Sequence, residues 1–215
     1  MARCCARSVV EPLAPSGPAG EVPSDPLAER TLESRVAYDG AFFQVMLDRV
    51  RCPDGHIGVR EFIRHPGAVM VVAMPDVDTV VLERQFRHPL GRSFIEMPAG
   101  KLEAGEGALA CAQRELIEET GYRAARWDRL GAFHNAIGYS DEKIEVYLAR
   151  ELDYVGTSTQ AGEVLEVFTV AWRQLLDWIA AGTVSDVKTI VGAYWLERYI
   201  AGTLIGPEGT AVATR

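Results

Sequence analysis

Apolar and polar positions along this chain follow first a strand rhythm and later a helical one. Runs rich in β-branched and aromatic residues at 33–38, 42–50 and 58–65 predict three strands. Pro53, Asp54 and Gly55 between the last two are a hairpin turn signal, so these strands read as an N-terminal antiparallel sheet. The runs 69–74 and 79–85 are rich in β-branched residues, read as largely buried, and flank Pro75, Asp76 and Asp78, which predicts a second hairpin. A short strand at 94–97 leads into a helical segment that ends near Gly121, a C-cap candidate. Further strands are predicted at 128–133, 143–149 and 165–170, then helices at 172–180 and 185–200, the latter with Ser185 as N-cap. The alternation predicts an α/β fold, specifically an α/β/α sandwich around a mixed sheet.

The helical segment carries the chemistry. In GKLEAGEGALACAQRELIEETGY, residues 100–122, helical spacing makes Glu115 a neighbour of both Glu118 and Glu119, with Arg114 beside them. Each like-charged pair costs about 0.2–0.5 kcal/mol, and negative charge near a helix C-terminus adds a penalty of roughly 0.3–1 kcal/mol. A hard divalent cation reverses the sign of that arrangement, because it binds through a few carboxylates together with substrate phosphates. The alternative is an acidic solvated helix face; against it, no basic residue is interleaved from Glu115 to Thr120. Leu109, Ala112, Leu116 and Ile117 form the opposite, core-facing stripe, and Cys111 has no base near it in sequence.

The same segment fills every position of the pattern G-x5-E-x7-R-E-U-x-E-E-x-G-U, where U is apolar: Gly100, Glu106, Arg114, Glu115, Leu116, Glu118, Glu119, Gly121 and Tyr122. In this it resembles the Nudix hydrolases. That resemblance implies hydrolysis of a nucleoside diphosphate linked to another group, with Mg²⁺ as cofactor and Mn²⁺ as a substitute. It also implies that Glu115, Glu119 and the Ala99 carbonyl hold metal, that Glu118 participates in catalysis, and that Arg114 orients the glutamates. Glu106, at the helix start where negative charge suits the dipole, reads as structural.

The resemblance extends over residues 36–200 to the ADP-ribose pyrophosphatase branch, through DGHIGVREFIRHPGAV, LERQFRHPLGRSFIEMPAGKLEAGE and SDEKIEVYLAR. It implies that Arg87 contacts phosphate or ribose, with Arg84 as a further arginine, and that Glu96 is an acidic residue on the substrate side. A catalytic base or water-orienting group is expected in the loop 136–142, with Glu142 as candidate and Glu145 second; a polar turn residue is the other reading of Glu142. Two positions depart from the pattern: Ile137 stands where relatives carry Pro, and no Trp occurs in the N-terminal strands to stack a base, leaving Phe42 or Phe43. The resemblance further implies a homodimer formed through the N-terminal strands.

Composition narrows the classes. A chain of 215 residues with 48% apolar content accommodates one well-packed domain, and a formal charge of −8 argues against general nucleic-acid binding. Cys4, Cys5, Cys52 and Cys111 have neither zinc spacing nor disulfide density, which reads as reduced thiols in a cytoplasmic protein, and no apolar run reaches membrane-spanning length. Trp127, Trp172, Trp178 and Trp195 read as core or interface aromatics. The expected organisation is a disordered Pro-rich arm at 1–30, an N-terminal β region at 31–65 serving dimerisation and substrate, a Nudix catalytic domain at 66–205 and a flexible tail at 206–215. The expected reaction is Mg²⁺-dependent cleavage of ADP-ribose to AMP and ribose 5-phosphate. GDP-mannose or ADP-glucose is the alternative nucleotide-sugar substrate, and an inactive Nudix-like ligand-binding regulator is the alternative of another class.

Overall fold

The computed structural model describes residues 25–159, 162 and 164–204. Three antiparallel strands come first, β1 (Arg30–Asp39), β2 (Gln44–Arg51) and β3 (Ile57–Arg64), in the order β1-β2-β3. At the β2–β3 turn the Gly55 N–H donates to the Cys52 carbonyl at 2.9 Å and the His56 N–H to Asp54 Oδ1 at 2.9 Å. Gly55 takes φ = 87° there, a conformation that costs a residue without Cβ nothing. β1 starts at Arg30, earlier than predicted, and Glu29 just ahead of it is bound by Arg60 of β3. Of the arm expected over 1–30, residues 1–24 lie outside the described residues, as does the tail expected at 206–215.

The remaining elements are β4 (Ala68–Ala73), β5 (Thr79–Arg87), β6 (Arg92–Glu96), β7 (Ala99–Lys101), α1 (Ala108–Thr120), β8 (Tyr122–His134), β9 (Lys143–Tyr154), β10 (Leu165–Ala171), α2 (Trp172–Ala180) and α3 (Val187–Ile200). One sheet has the order β7-β4-β9-β8 and is mixed, since β4 runs parallel to β9 while the other pairs are antiparallel. A second, antiparallel sheet has the order β10-β5-β6.

Every residue of β4 is buried because the strand lies between two helical layers. Val69, Val71 and Ala73 face Cys111, Ala112 and Leu116 of α1. The alternate residues Ala68, Met70 and Val72 join Leu175 of α2 and Ala193, Leu196 and Tyr199 of α3. This period-two partition makes the α/β/α sandwich. Trp172, Trp178 and Trp195 pack on the α2/α3 side and Trp127 on the α1 side.

Beyond shifted strand ends, the structure departs from expectation in the pairing of β4 and β5, in β7 and at the start of α3. The runs 69–74 and 79–85 form no hairpin: β4 pairs with β7 and β9, whereas β5 pairs with β6 and β10 in the other sheet. Burial on both faces marks each as a central strand without naming its neighbour. β7, only three residues long, has too little pattern to be read. The N-cap of α3 is Asp186, whose side chain accepts the Thr189 N–H at 3.0 Å; Ser185 and Asp186 are adjacent and equally suited by type. Among the described residues no helix is long and apolar enough to cross a membrane.

Candidate active site

A cleft of about 770 Å³ opens where β4, β7 and α1 meet the ends of β3, β5, β9 and α3. Among its lining residues are Phe42, Arg87, Ala99, Arg114, Glu115, Glu119 and Glu142, drawn together from positions up to 100 residues apart. Glu118 and Glu96 do not line it.

The acidic wall is built by α1 lying against β7. Glu119 is 3% exposed and accepts the Ala99 N–H at 3.0 Å, so its carboxylate is fixed to the strand that precedes the helix. Glu115 lies directly over Gly100: a Cβ there would come within 1.9 Å of the Glu115 carboxyl carbon. Any larger residue at 100 would therefore displace Glu115. Gly121 ends the helix with φ = 75° and its N–H on the Ile117 carbonyl at 2.9 Å, as its position predicts.

Arg114 holds this wall in shape. Its guanidinium donates to Glu106 through Nε at 2.9 Å and Nη2 at 2.8 Å, to Glu115 at 2.8 Å and to Glu118 at 3.3 Å. Glu106 also accepts the Glu103 N–H at 3.0 Å, which shapes the loop before α1. The Arg114 bonds hold the Glu106 carboxyl well below its ordinary value, at about 2, against the opposing effect of burial. Arg114 itself is raised, chiefly by Glu106. Burial pushes the Cys111 thiol up to about 12, an inert thiol at physiological pH. Glu118, held by the same Arg114 at 3.3 Å, is not among the residues that line the cleft.

The opposite wall is basic and was only partly visible in sequence. Arg87 and Lys188 both line the cleft, and Glu96, expected to face substrate, is 2% exposed and lies beneath them. Arg87 forks onto Glu96 through Nε and Nη2, each at 2.6 Å, and Lys188 bonds the same carboxylate. Burial raises the Glu96 carboxyl, but Arg87 and Lys188 outweigh it and hold it below its ordinary value. Lys188 escaped sequence reasoning because 92 residues separate it from Glu96. Arg84 faces away from the cleft, paired with Glu166 at 2.7 Å.

The third side is the loop that carries Glu142. Its Oε2 accepts from Asn135 Nδ2 at 3.0 Å, and its Oε1 lies 3.8 Å from His65 Nδ1. His65 Nδ1 accepts the Gly67 N–H at 3.1 Å, which puts the proton of a neutral ring on Nε2. The loop is fixed to the end of β3: the Ile63 N–H donates to the Tyr139 carbonyl at 2.8 Å and the His65 N–H to Asp141 Oδ1 at 2.8 Å. Phe42 stands beside it, edge-on to His65 at 5.8 Å, with Lys101 Nζ 4.7 Å from its ring centre. Glu145 is outside the cleft, bound by Arg129 at 2.6 Å and Lys143 at 2.6 Å.

Among the described residues no three His, Cys, Asp or Glu side chains form a ready-made ion cage. Two carboxylates with a backbone carbonyl suffice for a hard cation that keeps waters and takes substrate phosphate oxygens. Glu115 and Glu119, both against the Ala99–Gly100 backbone on the cleft, fit that donor set.

Comparison with known proteins agrees with this geometry. Residues 64–188 match the NUDIX domain, and residues 29–63 match the nucleoside diphosphate sugar hydrolase N-terminal domain. The chain is 36% identical over 173 residues to the ADP-ribose pyrophosphatase of Bacillus subtilis, covering 80% of this chain and 94% of that protein. It is 33% identical over 171 residues to the methanol dehydrogenase activator of Bacillus methanolicus, covering 79% and 92%. It is 41% identical over 148 residues to the ADP-ribose pyrophosphatase of Mycobacterium tuberculosis, covering 68% and 71%. The crystal structure of an ADP compounds hydrolase shares the fold, with a TM-score of 0.73 at 20% identity over 81% of this chain and 95% of that one. The chain belongs to the Nudix hydrolase family, whose members are generally dependent on divalent metal.

The depressed Glu106 carboxyl makes a signed prediction. Its bond to Arg114 contributes stability that is complete above the ordinary value of 4.5 and is lost as pH falls toward about 2. In urea melts, Glu106→Gln should be less stable than the parent at pH 7, and the gap should shrink between pH 4.5 and 2.5. A gap independent of pH contradicts the assignment.

Proposed function

We propose that this protein is a Mg²⁺-dependent ADP-ribose pyrophosphatase that yields AMP and ribose 5-phosphate. The observation that carries this reading is the division of one cleft into a carboxylate wall, Glu115 and Glu119, and a basic side presented by Arg87, with Lys188 bound to the Glu96 carboxylate behind it. A metal-bound diphosphate requires both kinds of surface at once. The two relatives named ADP-ribose pyrophosphatase support the choice of substrate.

In this reading Glu115, Glu119 and the Ala99 carbonyl hold Mg²⁺, or Mn²⁺ in its place. The ion supplies charge neutralisation at the diphosphate oxygens and a hard site for water. Glu142, oriented through Oε2 by Asn135, takes the proton from the attacking water as one P–O bond of the diphosphate breaks. Arg114 touches no substrate; its Nη1 bridges Glu115 and Glu118 and so orients them, with Glu118 taking part in catalysis beside the metal-holding pair. Arg87 contacts phosphate or ribose. Phe42, 49% exposed at the cleft edge, offers the stacking surface for the base.

The reading includes a cytoplasmic homodimer, with residues 31–65 as the dimerising and substrate-side region ahead of a catalytic domain at 66–205. Support comes from β1, exposed along its whole length, Leu32, Val36 and Tyr38 included. Sedimentation should show a dimer at micromolar concentration, and a monomer there removes this part.

A panel of ADP-ribose, ADP-glucose and GDP-mannose with Mg²⁺ tests the activity. ADP-ribose should have the highest kcat/KM; a preference for GDP-mannose, or no turnover of any compound, contradicts it. Glu119→Gln should lower kcat about 100-fold or more without loss of folding, whereas near-parental turnover removes Glu119 from the metal site.

A further inference from the structure

The basic wall is joined to the C-terminal helix by contacts that the reaction outlined above does not use. Lys188 lies in the first turn of α3 and bonds Glu96 of β6, while also reaching Asp186, the α3 N-cap, at 3.0 Å. The neighbouring Thr189 accepts the Met97 N–H at 2.9 Å through its hydroxyl, so two consecutive residues of α3 grip the strand end that precedes β7. Glu96 is the shared partner: Arg87 takes both of its oxygens from one side and Lys188 takes Oε2 from another.

Charge explains why a second cation is needed there. Glu83 of β5, 1% exposed, stands opposite Glu96 in register across β5 and β6. Arg87 therefore lies in the field of Glu96 and Glu83 together, with Asp186 adding to it. Were Arg87 the only cation, its charge would be spent on buried carboxylates. Lys188 supplies a second positive charge to the same group. Arg87 uses Nε and Nη2 on Glu96, so among the described residues Nη1 has no hydrogen bond, and the residue lines the cleft.

We propose that Lys188 is a positioning residue for substrate binding: acting through Glu96, it fixes Arg87 at the cleft with hydrogen-bonding capacity to spare, so the start of α3 helps to set affinity. Glu96 is then a positioning residue too, although the family resemblance puts it on the substrate side. The inference rests on the reading in which Arg87 touches the phosphate or ribose of a nucleotide sugar.

The test is a double-mutant cycle on the full-length protein with Arg87→Ala, Lys188→Met, the pair combined, and Lys188→Arg. Lys188→Met should raise KM about tenfold while kcat changes less than about threefold. The combined variant should be no worse than Arg87→Ala alone, because Lys188 acts through Arg87, and Lys188→Arg should recover most of the loss. Lys188→Gln, which keeps a polar stem, is run alongside in case the methionine variant does not fold. Equilibrium binding of ADP to the same proteins reads the coupling without turnover, so failure of ADP-ribose in the substrate panel and failure of this inference are told apart. Unchanged KM and ADP affinity in Lys188→Met and Lys188→Gln, or losses that multiply in the combined variant, overturn the proposal.

Discussion

One guanidinium decides whether the acidic helix face exists in usable form. Arg114 binds Glu106, Glu115 and Glu118 at once, and α1 would otherwise carry several carboxylates with no basic residue between Glu115 and Thr120. Like charges at helical spacing repel by a few tenths of a kcal/mol per pair when exposed, and by more as burial lowers the effective dielectric. Arg114 removes that repulsion and also anchors the loop before α1 through Glu106. Glu115 then has one place to go, over the bare backbone of Gly100. The Gly100 and Arg114 positions of the sequence pattern are thus two halves of one packing requirement.

The rest of the fold delivers the other sides of the cleft to that fixed wall. β4, buried on both faces, spaces α1 from α2 and α3, and its neighbours β7 and β9 carry Ala99 and the approach to Glu142. The N-terminal sheet is tied in through the Ile63–Tyr139 and His65–Asp141 bonds, which bring His65 and Phe42 to the cleft. The basic wall comes from β5 and from the first turn of α3. Its cations are held by Glu96, a buried carboxylate that would be costly without paired charges around it.

Local chemistry was legible in sequence and long-range pairing was not. Helical spacing placed Glu115, Glu118 and Glu119 on one helix, and the Gly121 cap and the bounds of α2 followed from local signals. The neighbours of β4 and β5 did not, because a run of buried, mostly β-branched residues such as 69–72 or 80–82 reads the same in either sheet. Glu96 was expected on the substrate side only through the family resemblance. Its inward direction depends on Arg87 and Lys188, and the latter arrives from the far end of the fold. Glu145 and Glu142 are close in sequence yet take different surroundings, Arg129 and Lys143 for one, Asn135 and His65 for the other. Glu142, the first candidate, lies in the loop ahead of β9 and lines the cleft, while Glu145, the second, lies within the strand and outside it.

The central claim is that Glu115 and Glu119, set by Arg114 and Gly100, form a divalent-ion site on this cleft. Calorimetric titration of Mn²⁺ into the wild type and into the Glu115→Gln/Glu119→Gln variant tests it without reference to any substrate. Saturable binding in the wild type that disappears in the folded double variant is the expected result; equal binding by both proteins would contradict it.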